Sequence, residues 1–159
     1  MVTTLTATES LERVRQSVKP KDDTYTARLS EAANLGDVAR QGDLYFEVTE
    51  IVAGKVRVFD RDGTGKITGS RLLKIKLVKN PSLQLAPGTT QGSRHCLDSL
   101  NGVKVYQLKT PTPLDGPVLD LAEERSIPHP DHGHWILPPR AYNVTYQRHF
   151  AGELRRVQD

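Results

Sequence analysis

Cysteine is nearly absent: Cys96 is the one thiol in 159 residues. A disulfide within the chain is therefore excluded, as is a four-cysteine zinc or iron–sulfur centre built by a single chain. Cys96 reads as a small buried hydrophobe. Its neighbour His95 raises the idea of a cysteine nucleophile, but adjacent strand residues point to opposite faces. Long apolar runs are also missing, and none approaches the roughly 20 residues of a membrane-spanning helix. The opening MVTTLTATES lacks the basic-then-apolar order of a secretory leader. The expected location is cytoplasmic, with no membrane partner. Charge of either sign is scarce in sum, since 22 basic and 19 acidic residues leave only +3. There is no internal repeat and no convincing central helix.

What the chain does contain is alternation. Leu44, Phe46 and Val48 interleave with Tyr45, Glu47 and Thr49, which predicts a strand with one apolar face. Val52 to Phe59, Arg71 to Val78, Val103 to Leu108, Val118 to Leu121, Trp135 to Leu137 and Tyr142 to Tyr146 are further strand candidates. Glycine and proline turns separate them, and Thr110 to Pro117, with three prolines, reads as a loop or an edge. The expected fold class is all-β, a compact β-barrel or β-sandwich. Residues 1–40 read as a partly helical or flexible extension, 41–150 as the strand-rich domain and 151–159 as a tail. Two weak helical patterns lie in the extension, Thr8 to Val18 before Pro20, and Ser30 to Ala39 with Ser30 as cap.

Two charged stretches invite functional readings. Asp60-Arg61-Asp62-Gly63-Thr64-Gly65-Lys66-Ile67 imitates a calcium-binding loop, but its closing position is Arg71 instead of glutamate and its flanks are strands. A tight hairpin turn is expected there. Lys55 to Lys79 carries eight basic residues and two acidic ones. That bias suits a polyanion such as nucleic acid if the side chains share a surface, and otherwise a solvated face or guarded sheet edge.

The densest chemistry is histidine. His129, His132 and His134 fall within six residues, and a β fold can bring His95 to them. If Gly133 onward is extended, His132 and His134 share a face. His95, His132 and His134 then form a three-nitrogen site for a transition metal ion. Without metal, His95, His129 and His132 serve as acid and base, with Asp131 or Asp120 orienting an imidazole. Arg94 and Arg148 would contact phosphate, a set suited to phosphodiester cleavage.

Several segments resemble a group of small bacterial β-rich proteins of unassigned activity. They are Arg40-Gln41-Gly42-Asp43, Thr90 to His95, His129 to Gly133, Leu137 to Val144 and Tyr146-Gln147-Arg148. Those proteins carry glycine at the position of Arg140 and an acidic residue at that of His149. The resemblance implies the order of elements and no particular activity. Metal-binding cupins are a more distant comparison: His132-Gly133-His134 resembles their histidine pair without the following glutamate, and the resemblance implies a cupin-like architecture and no enzyme activity. The sequence favours a small accessory or binding protein, metal-stabilised and homo-oligomeric, with a nucleic acid or protein partner. The alternative is a phosphodiester hydrolase or nuclease, and a third reading is a structural assembly subunit.

Overall fold

The computed structural model describes residues 26–86, 95–129 and 132–147. Within them the chain is all-β, as expected, with eleven strands and no helix. They are β1 (Thr26–Arg28), β2 (Val38–Gln41), β3 (Leu44–Thr49), β4 (Ile51–Val52), β5 (Lys55–Arg61) and β6 (Ile67–Leu77). β7 (Val103–Leu108), β8 (Asp115–Leu121), β9 (Arg125–Ile127), β10 (His134–Leu137) and β11 (Ala141–Tyr146) follow. Eight form one sheet in the order β2-β3-β11-β8-β7-β6-β5-β4, and β1-β10-β9 form a second. The larger sheet keeps β2 and β4 as its edges and does not close, so the barrel alternative is not formed.

The alternation in the sequence sets the main core. Leu44, Phe46 and Val48 are completely buried while Tyr45 and Glu47 are half-buried, as a period of two requires. Their face, continued by Leu119, Tyr142 and Val144, packs against Trp135, Leu137 and Ile127 of the small sheet. Trp135 closes this layer and donates its indole N–H to the Arg40 carbonyl at 2.9 Å.

The helix expected over 30–39 is replaced by turns and β2. Asn34 and Asp37 bond to each other, and the Ser30 hydroxyl accepts from Ala32 N at 3.1 Å, so local side-chain bonds outcompete a helical ladder. The core reaches back into this segment through Ala27, Leu29, Ala33 and Ala39. The other helical pattern, Thr8 to Val18, lies outside the described residues.

The β5–β6 hairpin bends back over the opposite face of β3 and encloses a smaller core around Val56, Ile75, Leu108 and Val118. Thr49 Oγ1 donates to Arg57 O at 2.5 Å, and Arg61 reaches Glu47 at 2.9 Å and the Gly36 carbonyl at 2.5 Å. The calcium-like loop is the turn of this hairpin. Asp62 Oδ1 accepts from Thr64 N, Thr64 Oγ1 and Lys66 N, spending that oxygen on its own loop. Those bonds, the Thr64 hydroxyl first, hold its carboxyl below the ordinary 3.8.

Burial pushes the Glu47 carboxyl above its ordinary 4.5, and Arg61 opposes that rise. The folded state thus holds this proton more tightly than the unfolded chain. The resulting stabilisation is present below the unfolded value and is lost as pH rises through the folded one. Glu47→Gln, which mimics the protonated form, is expected to gain stability relative to wild type between about pH 4 and about pH 7. Urea unfolding of both proteins at the two pH values checks this; a gap that stays constant or moves the other way refutes it.

Candidate functional site

The site begins at a two-residue turn of the main sheet. Gln41 pairs with Leu44, so Gly42 and Asp43 alone link β2 to β3. Gly42 has φ of 58°, the left-handed conformation that a type II′ hairpin requires at its first central residue. Both Gln41 and Asp43 are buried and reach His95.

His95 is brought in by a second piece of backbone. Residues Gln84 and Cys96 form an isolated antiparallel bridge, flanked by Leu85 N to His95 O at 2.6 Å and Leu97 N to Leu83 O at 2.9 Å. His95 is 0% exposed, whereas Cys96 is half-buried, consistent with neighbours facing opposite ways.

The hydrogen bonds fix the orientation of every group here. Gln41 Nε2 lies 2.7 Å from both the Ile127 and Gly133 carbonyls. Carbonyls only accept, so the amide nitrogen must face them and the amide oxygen must face His95. That oxygen is 2.8 Å from His95 Nδ1, which therefore carries a proton and donates it. The other ring nitrogen, Nε2, lies 3.1 Å from Asp43 Oδ1. A bare imine nitrogen and a bare carboxylate are both acceptors, so one proton is held between them.

His129 and His132 complete the cluster. Ring centroids are 4.5 Å apart for His95–His129 and for His129–His132, and 6.2 Å for His95–His132. The outer two rings are parallel within 3°. His129 is 1% exposed, and its Nδ1 accepts the His132 backbone N–H at 3.2 Å. This places the proton of a neutral His129 ring on Nε2. His132 is half-buried and is the most accessible of the three.

The expected convergence of His95, His129 and His132 is thus present in space, while the proposed metal triad is not assembled. Gly133 has φ of 82°, so the chain between His132 and His134 is not extended and the two do not share a strand face. His134 instead starts β10 opposite Thr26. Both nitrogens of His95 already face Gln41 and Asp43, and among the described residues no group of three His, Cys, Asp or Glu is placed to hold a metal ion. Asp120 lies on β8 opposite Lys104. Arg94, Asp131, Arg148 and His149 lie outside the described residues. Gln41 and Asp43 received no role from the sequence, although Gln41 lies two positions beyond Ala39, on the same strand face, and both flank the turn glycine Gly42.

Comparison with protein-family models, with curated proteins and with solved structures found no match. Among the described residues no helix is long and apolar enough to cross a membrane.

Proposed function

We propose that the chain is a small non-catalytic binding or accessory protein, in which the histidine cluster organises the surface rather than turning over a substrate. The observation that carries this reading is the burial of His95 and His129, at 0% and 1% exposure. A general acid or base must come within hydrogen-bond reach of the proton it transfers. The nitrogens of His95 are engaged by Gln41 and Asp43, leaving His132 as the accessible imidazole of the cluster. Cleavage of a phosphodiester by paired histidines needs two. The cluster instead ties three separate chain segments together: the β2–β3 turn, the Gln84–Cys96 bridge and the loop after β9.

Self-association belongs to the same reading. Along Ile67–Leu73, β6 pairs with β5 but not with β7, whose partners begin at Ile75. An open strand edge offers unpaired backbone groups to a second copy.

The test combines activity with metal content. The full chain and His132→Ala are incubated with an activated phosphodiester and with RNA and DNA, and both proteins are analysed for bound transition metals. No turnover and no stoichiometric metal are expected. Hydrolysis abolished by His132→Ala, or an ion present in wild type and lost in the variant, would overturn the reading.

A further inference from the structure

The basic bias of Lys55 to Lys79 resolves into an ordered array. Lys55 on β5 lies directly opposite Lys74 on β6. Leu108 is opposite Ile75, and the next residue, Lys109, donates its N–H to Lys74 O at 3.1 Å, continuing the register. Opposed residues project from the same face, so Lys55, Lys74 and Lys109 form one rung across three strands. With strands about 4.8 Å apart, the rung spans about 10 Å. On the same face the next positions are Lys76 opposite Gln107, and Arg57 opposite Leu72. Intervening side chains such as Val56, Ile75 and Leu108 point the other way into the smaller core.

Like charges placed directly opposite one another destabilise a sheet. Arg57 is offset by Glu50 at 3.0 Å, but Lys55, Lys74, Lys76 and Lys109 make no ion pair with any described residue. Beside this array the sheet splits. β7 and β8 pair only as far as Tyr106 and Val118, where Pro117 has no N–H to continue the ladder. The split opens a cleft of about 280 Å³, lined by Pro81, Leu85, Tyr106, Gln107, Pro117 and Tyr146. Asp115 also lines it, with its Oδ2 accepting from Thr112 N and Oγ1.

We propose that this face binds single-stranded nucleic acid, with phosphates on the four lysines and one base in the cleft. Gln107 belongs to both parts, since it shares a rung with Lys76 and lines the cleft. The fit is to an unpaired strand because a base stacked inside a duplex cannot turn into a pocket. An anionic lipid surface fits less well, since Leu72 is the one large apolar side chain within these rungs. The inference deepens the binding reading above and names its ligand class.

The probe is a fluorescently labelled oligonucleotide of about 12 nucleotides, titrated with the full chain by polarisation at several salt concentrations. For four engaged lysines, log K against log salt is expected to slope near about −3. In Lys74→Gln/Lys109→Gln the slope should shrink by about 1.4 with a loss of about tenfold or more in affinity. Lys104→Gln, exposed on β7 but facing the other side, should match wild type. Absence of low-salt binding, equal loss in the Lys104 variant, equal affinity for a duplex, or binding only to phosphatidylserine-containing vesicles would overturn the proposal. The recovered probe is run on a gel. A cut probe refutes the non-catalytic reading without touching the lysine face, and failure to bind does the reverse.

Discussion

Gln41→Leu is expected to destabilise the domain by about 4 kcal/mol, with a fall in Tm of about 10 °C. Gln41 is completely buried and makes three hydrogen bonds, to the Ile127 and Gly133 carbonyls and to His95. Leucine fills the volume but takes one buried donor from each of the Ile127 and Gly133 carbonyls and the acceptor from the His95 Nδ1–H, three lost buried bonds at about 1–1.5 kcal/mol each. Gln41→Glu separates polarity from packing. A carboxylate would present an oxygen to two carbonyls, so at neutral pH it should be at least as damaging as leucine. It should recover in part on acidification, when the protonated carboxyl can donate to one of them. Chemical denaturation measures all three proteins. A leucine variant within about 1 kcal/mol of wild type would show that Gln41 does not carry the site.

The strands that hold this residue were legible where side-chain period and burial agree. Leu44, Phe46 and Val48 announce β3 because each meets the core, and Val103 to Leu108 announces β7 after the Asn101-Gly102 turn. β1 and β9 span three residues each, too few to display a period, and they exist through pairing with β10. β2 was hidden because Leu35 and Val38 are three apart, a helical spacing that two consecutive turns also produce.

The candidate site was legible in its histidines and hidden in its partners. Density pointed to His129, His132 and His134, with His95 as the residue a β fold could bring to them, and the fold places the rings of His95, His129 and His132 within 6.2 Å. The inclusion of His134 assumed an extended Gly133, but glycine is the residue free to take the positive φ that turns the chain there. Gln41 and Asp43 look like solvent-facing residues around a hairpin glycine. Only the loop after β9 and the Gln84–Cys96 bridge, remote in sequence, bury them.

Asp43 should show a contrast between two substitutions. Asp43→Ala is expected to cost about 3–5 kcal/mol, because it strands one member of a buried proton-sharing pair. Asp43→Asn should cost less than about 1.5 kcal/mol. Its amide can donate to His95 Nε2 while Nδ1–H continues to donate to Gln41, so a neutral ring satisfies both contacts. Nitrogen-15 shifts of the imidazole read the same chemistry directly. In wild type, Nδ1 should carry a proton and Nε2 should sit in a hydrogen bond whose proton is shared with Asp43. In Asp43→Asn, the ring should be the neutral Nδ1–H tautomer. An unprotonated Nδ1 in wild type would contradict the orientation of Gln41 on which the geometry of the site depends. Equal losses in the Ala and Asn variants would mean that the shared proton contributes nothing and that Asp43 matters only through the turn it closes.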